Sequence, residues 1–262
     1  MKVALTIAGS DSGGGAGIQA DLKTFSALGV FGTSAITAIT AQNTMGVDAV
    51  ETLSANIVGK QISAVASDFP VAAAKTGMLA NTEIIVAVAA AAQAHGIKNL
   101  VVDTVMVSKS NHRLLEPQAE AAMRSVLMPL AFIVTPNLPE AEVLTGMKIT
   151  NFETMREAAR KLFALGARHV LVKGGHLENA AATDIFFDGK DFFELEAERV
   201  ATTSTHGTGC TLSAAIAAYL ALGESPLEAC RKAKAYLTGA LKHAVKLGHG
   251  HGPVNHFWKL PN

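Results

Sequence analysis

The sequence predicts an α/β fold in which a mostly parallel central sheet is covered by helices on both faces. Three observations carry that expectation. Short, continuously apolar runs read as strands buried on both faces. They alternate with longer Ala-rich stretches of helical period, the order that gives parallel strands and right-handed crossovers. No Pro/Gly/Ser-rich linker or internal repeat divides the 262 residues, so one domain over 1–262 is expected.

The strand candidates are residues 3–8, 34–40, 73–76, 100–102, 132–135 and 170–172. Helical patterns fall at 18–28, 56–67, 82–95, 116–127, 152–165, 208–222 and 226–246. Residues 183–196 read as a hairpin around Asp188-Gly189, extending one sheet edge antiparallel. Ser225-Pro226-Leu227-Glu228 has the form of a capping box with Pro at the first helical position, so a helix starts there.

Composition narrows the function classes. The formal net charge is +0 with 49% hydrophobic residues. That balance supplies neither the basic footprint of a nucleic-acid binder nor a polybasic membrane patch, and points to a small-molecule partner. Two cysteines, Cys210 and Cys230, are too few for a disulfide framework. The N-terminal stretch lacks the pattern of a signal peptide, and the longest apolar run, 84–92, is far shorter than the ~20 residues of a membrane span. A cytoplasmic protein is expected.

Three Gly clusters could approach an anion: 13–17, 174–175 and 207–209. The sharpest is Thr205-His206-Gly207-Thr208-Gly209-Cys210-Thr211, which feeds an Ala-rich helix. Such a turn aims backbone N–H groups and a positive dipole end at one spot, as a transferring phosphoryl group requires. A turn whose glycines only let a helix start tightly gives the same spacing, and both readings stand. Residues 15–20 match the dinucleotide pattern G-x-G-x-x-A, but six residues separate them from the first strand and no acid ends the next one. No G-x-x-x-x-G-K-[ST] motif occurs. Cys210, beside a helix N-terminus where a thiolate is stabilised, could serve a Cys/His hydrolase with His206 as base, or be a small buried residue as Cys230 is.

Six ordered stretches together resemble the hydroxymethylpyrimidine/phosphomethylpyrimidine kinases of thiamine biosynthesis, in the ribokinase-like superfamily. They are LTIAGSDSGGGAGIQAD at 5–21, TAQNT at 40–44, KTGML at 75–79, TPNLPEA at 135–141, KGGH at 173–176 and HGTGCT at 206–211. The likeness continues to residues 252–254. It implies a three-layer sandwich of the ribokinase type and two successive phosphorylations of a hydroxymethylpyrimidine by ATP.

The resemblance also implies roles. Gly9, Asp21, Gln42, Met78 and Val105 would line the pyrimidine pocket, with the Gln42 amide reading the ring's nitrogen edge, since an amide both donates and accepts. Lys173 would neutralise nucleotide phosphates. Asp103, Asn137 and Glu140 would hold Mg²⁺, directly or through water. Gly207, Thr208 and Gly209 would form the anion hole, with Thr208 also at the ATP. ATP and Mg²⁺ are the implied cofactors, K⁺ is left open, and a homodimer is implied.

Two departures stand out. Cys210 occupies the position where the wider superfamily places an Asp base, as it does in the pyrimidine kinases, and Thr104 follows Asp103 where many relatives have Pro. A thiolate at Cys210 would take the alcohol proton in the first transfer, while the second, onto a phosphate, needs no base. The His-rich tail, His249, His251 and His256, suggests a metal by composition; a substrate-side or packing role is the expectation here. Rival readings are a vitamin B6 (pyridoxine or pyridoxal) kinase, since that ring also carries a hydroxymethyl group, and a non-catalytic pyrimidine-binding regulator.

Overall fold

The computed structural model describes residues 1–107, 113–175 and 181–259. Its strands are β1 (Val3–Ala8), β2 (Phe31–Ile36), β3 (Ala38–Gln42), β4 (Val47–Thr52), β5 (Val71–Thr76), β6 (Leu100–Val102), β7 (Ile133–Val134), β8 (Val170–Val172), β9 (Ala181–Phe187) and β10 (Phe192–Glu198). Its helices are α1 (Gly17–Ala27), α2 (Ala55–Asp68), α3 (Thr82–Ala94), α4 (Ala119–Ala122), α5 (Leu138–Thr145), α6 (Phe152–Ala164), α7 (Thr208–Leu222) and α8 (Pro226–Lys242).

Eight strands form one sheet in the order β10-β9-β8-β7-β6-β5-β1-β2. Pairing is parallel from β2 through β8, and β9 and β10 add an antiparallel edge, as the hairpin expectation had it. Side chains alternate between two cores because the strand period is two. Leu5, Ile7, Leu100, Val102, Val170 and Val172 pack with α2, α3, α5 and α6. Ala4, Val101 and Leu171 face α1, α7 and α8. β6 and β8 are therefore apolar on both faces, which is why they appear in the sequence as unbroken apolar runs.

The expected strand at 34–40 is two strands. At Thr37 the chain leaves the sheet: its N–H donates to Ala8 O (3.0 Å) and its hydroxyl to Met78 O (2.6 Å). β3 then pairs antiparallel with β4 as a separate hairpin, whose tip is closed by Asn43 accepting from the N–H groups of Met45 and Gly46. The helix expected at 116–127 is the short α4 continued through a widened turn, Met123–Leu127, and a tight one, Met128–Leu130. The helix expected to run to 246 ends at Lys242, where Asn255 from the tail caps it by donating to His243 O at 3.2 Å. Ser225 caps α8 through Glu228 N, but Glu228's carboxylate pairs with Arg231 at 2.9 Å instead of completing the box.

The tail is structural. His256 is buried and its Nε2 lies 3.1 Å from Thr211 Oγ1 in the first turn of α7. Burial, with the Lys23 charge, pushes its imidazole from 6.5 down to about 4. The folded chain thus holds His256 neutral, and the unfolded chain binds the extra proton below pH ~6.5. Stability is full above that pH and falls as pH drops toward 4, by about 3 kcal/mol in all. Urea melts at pH 7 and 4.5 check this: His256→Asn removes most of the difference. His249 and His251 are exposed, and among the described residues no cluster of three or more metal-binding side chains forms.

Candidate active site

In open α/β sheets ligands bind beyond the carboxyl ends of the strands, where the strand order reverses. Here the chain runs from β1 to β2 in one direction and from β5 to β8 in the other, so the reversal lies between β1 and β5. A cavity of about 750 Å³ opens at that edge. Gly9 follows β1, Met78 follows β5, Asp103 and Val105 follow β6, Asn137 follows β7 and Lys173 follows β8; all line it. Glu140, Gln42 and the turn from Gly207 to Cys210 complete the wall. Twelve of the thirteen anticipated residues therefore meet in one space.

Asp21 is the exception. It is fully buried on α1, where both its carboxylate oxygens accept from Lys75 Nζ (3.0 and 2.9 Å) and Thr6 donates to it at 2.5 Å. The acid lies beneath the cavity because a neighbouring strand supplies a buried cation. Burial alone would pull the Lys75 ammonium down, but Asp21 and the other negative groups around it more than compensate.

At one end of the cavity the charges suit an anion. Lys173 Nζ lies 3.2 Å from Asp103 Oδ1, and Ser213 donates to Asp103 Oδ2 at 3.0 Å. Burial pulls Lys173 down, yet Asp103 and Glu140 push it up, so it remains a cation. Asp103 is pushed up by burial but held below the usual carboxylate range by Lys173 and Lys75. Glu140 is driven up, first by burial and then by Asp103, against the pull of Lys173.

The N-terminus of α7 faces this group. Gly207 sits at φ +77°, and a Cβ there would lie 1.8 Å from Gly15 O, so two Gly-rich turns abut and a larger residue would force them apart. A Cβ on Gly209 would lie 3.5 Å from Lys173 Nζ. Helix dipole and ammonium therefore point at one place.

Cys210 does not behave as a helix N-terminal thiolate. Burial pushes its thiol from 9.0 up to about 11, and the nearby Lys75 ammonium does not offset this. The direction of the shift favours the thiol over the thiolate. His206 Nε2 is taken up by Asp11 Oδ2 at 2.8 Å and is not aimed at Cys210. The hydrolase reading loses its activated nucleophile.

Asn137 caps α5: its Oδ1 accepts from Glu140 N at 2.9 Å, and Glu140 Oε2 accepts from Asn137 N at 2.9 Å and from Thr104 Oγ1 at 2.9 Å. Neither this helix nor its cap was among the expectations. The Asn-x-x-Glu spacing is the signal that would have revealed both.

Gln42 is carried on the β3–β4 hairpin. Its N–H donates to Ser12 Oγ, and that hydroxyl donates to Gln42 O, both at 2.7 Å. Asp11, Thr40 and His206 were also missed in this role. Asp11 accepts N–H bonds from Gly13, Gly15 and Ala16 (2.9, 2.9 and 2.7 Å), organising the first Gly-rich turn. The turn signal Asp-Ser-Gly-Gly could have identified it. His176 and the rest of that motif's end lie outside the described residues.

A model of the phosphomethylpyrimidine kinase family matches residues 11–255. The chain is 56% identical over 263 residues to the hydroxymethylpyrimidine/phosphomethylpyrimidine kinase of Rhizobium meliloti, covering 98% of both. It is 53% identical to the thiamine biosynthesis bifunctional protein ThiED of Geobacter sulfurreducens over 96% of its own length, spanning about half (51%) of that longer protein. Among solved structures it resembles an ADP complex of Bacillus subtilis pyridoxal kinase, with TM-score 0.93, 42% identity and 100% of both chains covered. No helix among the described residues is long and apolar enough to cross a membrane. With the family model matched over residues 11–255 and a relative 56% identical over nearly its full length, the chain belongs to the phosphomethylpyrimidine kinase family.

Proposed function

We propose that the chain transfers the γ-phosphoryl group of ATP to the hydroxymethyl oxygen of 4-amino-5-hydroxymethyl-2-methylpyrimidine. It then transfers a second to the resulting monophosphate, giving the pyrophosphate used in thiamine (vitamin B1) biosynthesis. The observation that carries this reading is the convergence of Lys173 and the α7 N-terminus in a cavity that Gln42, Met78 and Val105 also line. Phosphoryl transfer asks the protein mainly for positioning and charge stabilisation, and this geometry supplies both. Lys173 and the N–H groups of Gly207 to Gly209 hold the migrating group, and Gln42 orients the ring.

The donors also fit Mg²⁺. Asp103 and Glu140 are buried oxygen donors close enough for the charge of one to shift the other, a strain a divalent cation relieves. Asn137, its amide oxygen used in the cap, would act through water. When bound, Mg²⁺ neutralises charge on the nucleotide phosphates. The assay run with and without K⁺ decides whether a monovalent ion contributes. The same reading makes the chain a single-domain cytoplasmic homodimer, and light scattering tests the assembly.

A neutral Cys210 cannot take the alcohol proton as a thiolate would; in this reading it donates to a phosphoryl oxygen. Cys210→Ala is then expected to slow both transfers about equally, by less than about tenfold. A loss confined to the first transfer and growing as pH rises would restore the thiolate base.

ADP release with the hydroxymethylpyrimidine, its monophosphate and pyridoxal offered in turn tests the reading; none with either pyrimidine refutes it. The likeness to pyridoxal kinase structures favours pyridoxal as a secondary acceptor.

A further inference from the structure

The Gln42 amide is held at both ends, and the holding groups determine which way it faces. The structure sets Gln42 Nε2 3.3 Å from His206 Nε2, and Gln42 Oε1 3.3 Å from Thr40 Oγ1. A half-turn of the amide exchanges these two atoms without changing the side chain's shape. Hydrogen-bond accounting discriminates between the two orientations.

Asp11 receives three backbone N–H groups, so its carboxylate is an acceptor and carries no proton. The His206 Nε2 that lies 2.8 Å from Asp11 Oδ2 must then bear the hydrogen. That one hydrogen is directed at Asp11, so toward Gln42 this nitrogen presents no free lone pair and only a shared hydrogen. At the other end the Thr40 hydroxyl has two acceptors within reach, Ser10 O at 2.8 Å and Gln42 Oε1 at 3.3 Å; its one hydrogen goes to the nearer, and it offers Gln42 a lone pair. Amide nitrogen against His206 would oppose two donors, and amide oxygen against Thr40 would oppose two acceptors. Both ends select the same alternative.

We propose that an Asp11–His206 pair and Thr40 lock the working Gln42 amide with its oxygen toward His206 and its nitrogen toward Thr40. Asp11, His206 and Thr40 are thereby specificity-positioning residues. The nitrogen end then spends one hydrogen on Thr40 and keeps one, while the oxygen end takes a shared hydrogen from His206 and keeps a lone pair, leaving one acceptor beside one donor for the cavity. That pair complements the exocyclic amine and adjacent ring nitrogen of an aminopyrimidine. Pyridoxal has no amine beside its ring nitrogen, so it gains little from the lock. A free amide would have to be ordered by the pyrimidine itself on binding.

This inference rests on the reading that Gln42 faces the pyrimidine ring. The test is calorimetric binding of the hydroxymethylpyrimidine and of pyridoxal, together with kcat and KM, for the wild type, His206→Met, His206→Gln and Thr40→Val. His206→Met is expected to weaken pyrimidine binding and raise KM about tenfold, the scale of one lost buried hydrogen bond. Its kcat should stay within about threefold and its pyridoxal affinity within about twofold. His206→Gln, whose amide N–H groups reach both Asp11 and Gln42, should recover most of the loss, and Thr40→Val should shift selectivity in the same direction as His206→Met. Equal weakening of both ligands, or unchanged pyrimidine affinity in a folded variant, overturns the lock. Should His206→Met not fold, Thr40→Val alone decides by the same criterion. A wild type that binds the pyrimidine without making ADP refutes the kinase reading and leaves the lock to the binding data. A wild type that does not bind it refutes both.

Discussion

Lys173→Met is expected to lower kcat for both transfers by about 10³-fold, the scale on which a charge-stabilising donor acts in a buried site. Pyrimidine affinity should hold, because Lys173 is engaged with Asp103 and touches neither Gln42 nor its partners Thr40 and His206. The substitution also removes the partner of Asp103, a buried acid kept ionised largely by this ammonium. Some loss of stability will accompany it, so kinetics belong at a temperature where circular dichroism shows the variant folded. A variant that loses pyrimidine affinity but keeps its turnover at saturation would show that Lys173 serves the ring and not the phosphates.

Asp21→Ala is expected to destabilise the fold by about 3–5 kcal/mol, because it strands the Lys75 ammonium without a partner in the interior. For a chain of this size that is a fall in Tm of roughly 10 °C. Lys75→Met should cost a similar amount for the converse reason. The double variant Asp21→Leu/Lys75→Met should recover much of it, since replacing a buried pair by apolar groups is often near neutral. Thermal melts of the three variants provide the check. Additive losses in the double variant would mean that the two residues act independently, contrary to their contact at 2.9 Å.

Burial explains which parts of this fold were legible. The central parallel strands β1, β5, β6, β7 and β8 are largely buried and show as apolar runs, whereas the edge strand β2 and the exposed-to-half-buried β4 carry no such mark. Thr37 reads as an ordinary strand residue, and the departure it makes depends on Ala8 and Met78, which are remote in sequence. The cavity-lining residues were anticipated through ordered motifs more than through spacing. Spacing alone left the Thr205–Cys210 turn open between an anion nest and a tight helix start; Lys173, arriving from β8, is what distinguishes them. The Asp11–His206 pair joins residues 195 apart in sequence, and only the fold brings them together. For Cys210 the sequence shows the helix N-terminus, which favours a thiolate, but not the surroundings that push the thiol up.

The central claim is that one cavity carries both phosphorylations, and the stoichiometry of ADP to pyrimidine tests it most directly. With excess ATP and Mg²⁺, two ADP per hydroxymethylpyrimidine consumed, with the monophosphate rising and then falling as the pyrophosphate accumulates, is the expected result. One ADP per pyrimidine with the monophosphate as end product would contradict it.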